Sequence, residues 1–326
     1  MSDTASSITG KKIFITGGCG FIGSTLVERL IETNEIIVFD NMRRDVLREK
    51  SVANHPSLTI IEGDVEDAAA VRKATDGAQL IVHCAAIAGI DTVIKYPVDT
   101  MRVNLLGTAN VLEAARHLTG VERVVDFSTS EVFGTHAFRV DEGGDTPIGV
   151  VGEARWSYAV SKIAGEHLAH SYHTQYGLPI TVVRPFNIYG PGQVGEGAVR
   201  TFVQRALRNE RIEIHGDGNQ IRAWCYVDDL VRGLLLCMSH PGAVGQSFNI
   251  GNSRTVITIY GLAQTVLRVV GGESTIAFTN KDYADVELRV PSVKKARELI
   301  EFEAEVDLEE GLARTVEYYR SALVNK

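Results

Sequence analysis

Lys11-Lys12-Ile13-Phe14-Ile15-Thr16-Gly17-Gly18-Cys19-Gly20-Phe21-Ile22-Gly23 decides the fold. A short apolar run rich in β-formers leads straight into glycines, and Ser24 to Ile31 follows with a helical pattern. A buried strand, a glycine turn and a helix start form the first unit of a dinucleotide-binding fold. The glycines permit a tight turn and let the backbone approach a pyrophosphate at the helix N-terminus, where the dipole and free N–H groups favour anions. Gly17, Gly20 and Gly23, with the backbone of Phe21 and Ile22, are therefore the expected cofactor cradle. The spacing is G-x-x-G-x-x-G, and a glycine turn without a ligand is the alternative.

Further along, Glu35-Ile36-Ile37-Val38-Phe39 reads as a second strand ending on Asp40 and Asn41. An acid there can accept hydrogen bonds from the adenosine ribose hydroxyls and would repel a 2′-phosphate, which favours NAD over NADP. Arg43 and Arg44 follow closely and leave that choice open. Leu58 to Glu62 is a third strand, followed by Gly63-Asp64-Val65. Asp64 is placed to reach the adenine beside Val65, or else to cap a helix. Leu80 to Cys84 is a fourth strand, and the small turn residues Ala85 and Ala86 would let the cofactor lie close.

A long helix is expected from Tyr96-Pro97 to about His117 with Asn104 in its middle, then a fifth strand over Val121 to Phe127. That strand opens onto Thr129, Ser130 and Glu131. A helix over Ser157 to Tyr176 and a sixth strand over Leu178 to Arg184 complete the alternation. Strand and helix periods in this order imply an α/β fold with a Rossmann-type doubly wound parallel sheet, its ligands at the carboxyl ends of the strands. After Arg184 the chain becomes turn-rich, with a helix near Val199 to Arg208. Residues 1–185 are expected to form the NAD-binding domain, with returns to the sheet at about 220–250. Residues 186–326 are expected to be mainly a smaller, interleaved α/β substrate domain.

With 326 residues, 44% hydrophobic and 23% charged, the composition is that of a globular protein. The net charge of −8 argues against nucleic acid or an anionic membrane as partner. The absence of a long apolar run and of a signal-peptide core points to the cytoplasm. Cys19, Cys84, Cys225 and Cys237 lie far apart, so reduced thiols are expected, with neither disulfide nor zinc. His167, His170 and His173 spread around a helix and read as surface residues. No metal site is expected.

Tyr158 and Lys162 in Arg155-Trp156-Ser157-Tyr158-Ala159-Val160-Ser161-Lys162 are four apart, on one helix face. An ammonium beside a phenol would lower the tyrosine pKa and make it a general base, although such a pair also arises by chance on amphipathic helices.

Together, Gly17/Gly20/Gly23, Asp40, Asp64, Asn104, Ser128-Thr129-Ser130-Glu131, Tyr158/Lys162, Arg184-Pro185-Phe186-Asn187-Ile188-Tyr189-Gly190-Pro191 and Arg222…Tyr226-Val227-Asp228-Asp229 resemble the extended short-chain dehydrogenase/reductases that modify nucleotide sugars. Cys19 and Cys84 depart from the usual alanine and leucine. The resemblance implies an NAD-dependent enzyme in which Tyr158 takes the proton of the sugar 4-hydroxyl while C4 gives up hydride. Thr129 would assist, Lys162 would bridge the nicotinamide ribose, Asn104 would support the cofactor site, and Asn187 and Arg222 would hold the diphosphate or sugar. A homodimer through the two long helices is implied as well. Thr129-Ser130-Glu131 together with Arg155-Trp156 leans toward a UDP-glucuronate decarboxylase or UDP-sugar 4-epimerase, Arg155 being counted with the substrate. A 4,6-dehydratase using Glu131 at C5 is the alternative, as is, from another class, a non-catalytic NAD-binding regulatory protein. Glu131 as a mere brace of its loop also stays open.

Overall fold

The computed structural model describes residues 8–280 and 286–324. The first half runs β1 (Lys12–Thr16), α1 (Phe21–Leu30), β2 (Glu35–Asp40), β3 (Leu58–Glu62), α2 (Ala68–Ala74), β4 (Leu80–His83), α3 (Ile90–Lys95), α4 (Pro97–Arg116), β5 (Arg123–Phe127), β6 (His136–Val140), α5 (Ser157–Tyr176) and β7 (Ile180–Pro185). There follow β8 (Ile188–Tyr189), α6 (Ala198–Leu207), β9 (Ile212–His215), β10 (Ile221–Ala223), β11 (Cys225–Tyr226), α7 (Val227–Ser239), β12 (Gln246–Ile250), β13 (Val256–Thr258), α8 (Ile259–Val270), β14 (Ile276–Thr279), β15 (Leu288–Pro291), α9 (Lys294–Ile300) and α10 (Leu308–Val324).

Seven strands form one sheet in the order β12-β7-β5-β4-β1-β2-β3, every neighbour parallel. This is the Rossmann-type arrangement expected from the alternating periods. The strands are apolar runs because helices cover both faces. Ile13 and Ile15 of β1 enter one core with α1 and α7, and Phe14 enters the other with α2, α4 and α5. From β1 the chain builds outward through β2 and β3, then returns to β4 on β1's other side. The carboxyl ends of β1 and β4 therefore flank a crevice, the place where such sheets bind ligands.

The helix after the glycines begins at Phe21, three residues earlier than its apolar pattern suggested, because extended Gly20 ends the turn directly at the helix start. A second sheet, β13-β10-β15-β6, was not anticipated; it joins segments far apart in sequence. It seats β15 beside β6, so that Arg289 pairs in register with Arg222 on one side and Ala137 on the other. Among the described residues no disulfide forms, no helix is long and apolar enough to cross a membrane, and no side-chain group could hold a metal ion.

Candidate active site

A cavity of about 780 Å³ opens at the carboxyl ends of β1, β2, β4 and β5. Its floor at one end is the glycine turn. Gly17 has φ +68°, and a Cβ there would lie 2.7 Å from the backbone N of Ala85. A Cβ on Gly23 would come within 2.4 Å of the Gly17 carbonyl oxygen. Only glycine lets this turn and the β4 loop approach so closely. No side chain caps α1, so its first N–H groups, near Phe21, Ile22 and Gly23, remain available at the cavity wall. This uncapped, glycine-lined helix start fits a dinucleotide pyrophosphate.

Asp40 and Asn41 line the same end. The Asp40 carboxylate accepts from Cys19 N at 3.0 Å and Met42 N at 2.9 Å, so it braces the glycine turn from the cavity wall. Burial raises its pKa, and these two bonds oppose the rise. Arg43 and Arg44 also line the cavity. Gly63 and Val65 contribute to the wall, whereas Asp64 is not among the described lining residues; it accepts from Glu66 N at 3.0 Å, and Asp67 caps α2. Ala85 and Ala86 lie along the wall. Asn104 is fully buried behind it. Its amide accepts from Ile87 N at 2.8 Å and donates to Ile87 O and Ser161 Oγ, tying the β4 loop to α4 and α5.

At the other end stand Thr129, Ser130, Glu131, Tyr158 and Lys162. Thr129 caps a short 3-10 turn over Ser130–Phe133 by accepting Glu131 N at 3.2 Å. Tyr158 is the second residue of α5, where the helix dipole favours an anion. Lys162, one turn on, is buried and donates to Phe127 O at 2.6 Å.

The simple expectation that Lys162 lowers the Tyr158 pKa is not met in the free protein. Burial and the negative charge of Glu131 push the phenol up to about 12, Thr129 and Arg289 pulling weakly the other way. Lys162 is held on the Phe127 carbonyl, and its charge is not among the groups that move Tyr158. A bound oxidised nicotinamide adds the positive charge and the hydride acceptor that this chain does not itself supply.

Sequence reasoning missed the partners of Glu131. Arg155 Nη1 donates to Glu131 Oε2 at 2.7 Å, and Arg289 Nη1 lies 3.6 Å from Oε1. Burial opposes ionisation of Glu131, but the two arginines outweigh it and hold the carboxyl below its ordinary range. Arg289 lines the cavity, whereas Arg155 stands behind Glu131. No motif surrounds Arg289 in sequence; only its register in the second sheet brings it here. Arg222, expected beside the substrate, rests on the backbone carbonyls of Ile221 and Val286 and is not among the described lining residues. Asn187, held at φ +45°, lines the cavity and donates to Ala223 O at 2.8 Å.

The loop before α6, whose Gln193 and Val194 line the cavity, is tied to the start of α3. Glu196 accepts from Asp91 N at 2.9 Å, Thr92 N at 3.0 Å and Thr92 Oγ1 at 2.8 Å, and Arg44 donates to Ala88 O at 3.3 Å. Of the three helix histidines only His167 is exposed. His170 hydrogen-bonds Ser247 Oγ at 2.8 Å, and His173 the Leu178 carbonyl at 2.8 Å, because the far side of α5 packs on β7 and β12.

Comparison with known proteins places this geometry. The profile of the NAD dependent epimerase/dehydratase family matches residues 13–251. The UDP-N-acetyl-alpha-D-glucosaminuronate decarboxylase of Bacillus cytotoxicus is 32% identical over 322 residues, covering 95% of this chain and 98% of that protein. UDP-glucuronic acid decarboxylase 6 of Arabidopsis thaliana is 36% identical over 324 residues, covering 96% and 90%. The crystal structure of the UDP-glucuronic acid 4-epimerase of Bacillus cereus, in complex with UDP-glucuronic acid and NAD, superposes with a TM-score of 0.86 at 25% identity, covering 95% of this chain and 99% of that one.

Proposed function

Because the chain belongs to the NAD dependent epimerase/dehydratase family, we propose that it decarboxylates a UDP-linked hexuronate through a 4-keto intermediate. NAD, when bound, takes the C4 hydride and later gives it back, so it is regenerated. Tyr158 accepts the proton of the sugar 4-hydroxyl, and Thr129 hydrogen-bonds the same oxygen. The new ketone lies β to the C6 carboxylate. The C5–C6 bond can therefore break with its electron pair passing into an enolate and carbon dioxide leaving. A solvent proton at C5, return of hydride to C4 and return of the Tyr158 proton to the 4-oxygen complete the balance. Lys162 holds positive charge beneath Tyr158 throughout.

The observation that carries this reading is Glu131 clasped between Arg155 and Arg289. A 4,6-dehydratase needs the carboxylate at this position to take the C5 proton and a donor to expel water at C6. Here the carboxylate is stabilised as an anion by two guanidiniums, which makes it a weak base. Arg289, at the cavity wall, instead offers a cation to a sugar carboxylate. Epimerisation at C4 shares the first step, and the Bacillus cereus relative supports it as the second reading. The non-catalytic alternative has no support from a site that keeps Thr129, Tyr158 and Lys162 together.

We take residues 1–185, with the returns to the sheet at about 220–250, as the cofactor half and residues 186–326 as mainly the substrate half, in a cytoplasmic enzyme. A homodimer is proposed through α4 and α5. These helices pack on each other and leave Val98 and Leu106 exposed at 67% and 46%. Mass spectrometry of purified protein incubated with NAD and a panel of nucleotide sugars tests the function. Loss of carbon dioxide selects decarboxylation, unchanged mass with a new isomer selects epimerisation, and loss of water would overturn the argument from Glu131.

A further inference from the structure

Arg184 opens the motif that runs to Pro191, yet no step above uses it. It is the fifth residue of β7 and reaches toward α5. Tyr158, Lys162 and Glu166 follow at four-residue spacing, so the face of α5 that carries the catalytic pair carries a buried carboxylate one turn further on. Arg184 grips that carboxylate as a fork. Its Nε donates to Glu166 Oε1 at 3.2 Å and Oε2 at 3.1 Å, and its Nη2 to Oε1 at 2.7 Å. Ser247 Oγ of β12 donates to the same Oε1 at 2.6 Å. Arginine and glutamate are both only 6% exposed. The guanidinium held in this way lies over the ring of Phe133, its Cζ 5.0 Å from the centroid. Phe133 is the last residue of the 3-10 turn that Thr129 caps and that carries Ser130 and Glu131. Phe186, two residues after Arg184, packs on the same ring with centroids 6.1 Å apart.

That turn needs support from outside itself. The backbone hydrogen bonds of Thr129–Gly134 stay within it: Glu131 N to Thr129 Oγ1 at 3.2 Å, Val132 N to Thr129 O at 3.4 Å and Gly134 N to Glu131 O at 3.1 Å. Its placement against α5 therefore rests on side chains. Val132 and Phe133 supply them, buried in a small core with Ala137 and Phe186 against which Ile163 of α5 packs. We propose that Arg184 is a positioning residue: anchored on Glu166, it holds Phe133 and so sets Thr129 and Glu131 at their place beside Tyr158 on the same helix. Its effect on turnover rests on the catalytic reading above. Burial opposes ionisation of Glu166, but the bonds from Arg184 and Ser247 outweigh it and hold the carboxyl below its ordinary range. A cation on an aromatic face gains strength when both are desolvated, as here. Thr129 and Tyr158 must share one sugar oxygen, and a misplacement of about 1 Å at such a site costs roughly a hundredfold in rate.

The test removes the cation without stranding its partner. Arg184→Met combined with Glu166→Leu replaces the pair by apolar side chains, an exchange that buried ion pairs commonly tolerate. In the NAD-loaded double variant kcat should fall about tenfold to a hundredfold. KM for the nucleotide sugar should change far less, and NAD affinity should hold, because the glycine cradle lies at the other end of the cavity. Phe133→Leu alone should cost a similar factor in kcat, and adding it to the double variant should cost little more. An unchanged kcat in either protein, or losses that multiply when the two are combined, would overturn the proposal. Hydrogen exchange reads the brace without any turnover. In the double variant the amides of Glu131 and Gly134 should exchange about tenfold faster than in the wild type, while those of α1 keep their protection. Unchanged exchange at the turn, or an equal loss throughout the chain, would overturn it. Wild-type protein inert toward every nucleotide sugar, with the turn loosened locally in the variant, would remove the catalytic reading and leave the brace standing.

Discussion

Arg155 donates to Glu131 across 2.7 Å, with side chains only 6% and 15% exposed, so a carboxylate and a guanidinium are paired at the back of the substrate end of the cavity. Glu131 is therefore an anion before any sugar arrives. Such a buried pair is costly to break from one side, because the remaining charge is stranded.

Arg155→Met should accordingly destabilise the protein by about 3 kcal/mol at neutral pH, the low end for a broken buried pair, since Arg289 still faces the carboxylate. The pH dependence has a definite sign. The folded Glu131 pKa lies below its ordinary value of 4.5. Its stabilisation is thus fully present above that value and is lost as pH falls through the lowered folded value. Urea unfolding should show wild type and variant converging in acid. A difference that widened on acidification would contradict the pairing.

Tyr158 gives a second test, through its cofactor dependence. In the free protein its phenol is raised to about 12. Phenolate absorbance, taken as wild type minus Tyr158→Phe, should therefore appear only in strong alkali without NAD, and at distinctly lower pH once NAD is bound. Identical titrations with and without cofactor would mean that the nicotinamide charge does not reach Tyr158. Activity of Tyr158→Phe should fall by about a thousandfold or more, which is the scale of losing a general base.

Gly17→Ala probes the cradle. The new methyl would need φ +68° and would stand 2.7 Å from Ala85 N. The left-handed conformation alone costs about 1 kcal/mol, and the overlap must open the turn away from the β4 loop. NAD affinity measured by calorimetry should drop at least tenfold. Unchanged affinity would place the pyrophosphate elsewhere.

Leu106→Glu probes the proposed dimer. This exposed leucine lies on α4, and a charge there should convert a dimer to monomer in equilibrium sedimentation. A wild-type protein that sediments only as monomer would refute the dimer directly.

How much of this could be read from the sequence depends on distance along the chain. The first sheet was legible because burial on both faces leaves continuous apolar strands, and because Gly17, Gly20 and Gly23 mark a turn with a local steric cause. Tyr158 and Lys162 were legible because helical spacing alone puts them on one face. Arg289 was not: its position follows from pairing with β6 and β10, whose partner residues Ala137 and Arg222 stand 152 and 67 positions earlier in the chain. Nor could spacing reveal where the Lys162 ammonium points. Its seat on the Phe127 carbonyl, and the burial that raises Tyr158, are tertiary effects that reverse the expected sign of the tyrosine shift. Asp64 and Arg222 were placed by pattern, yet Asp64 accepts from the neighbouring Glu66 N and Arg222 donates to the carbonyl of Val286, 64 residues away, contacts that sequence spacing does not encode.

The most direct measurement is turnover of UDP-glucuronate labelled with 13C at C6, in the presence of a small, substoichiometric amount of NAD. Labelled carbon dioxide and a UDP-pentose are expected in equal amounts, with many turnovers for each NAD. Retention of the label in a product that has lost water, or release limited to one turnover per NAD, would contradict it.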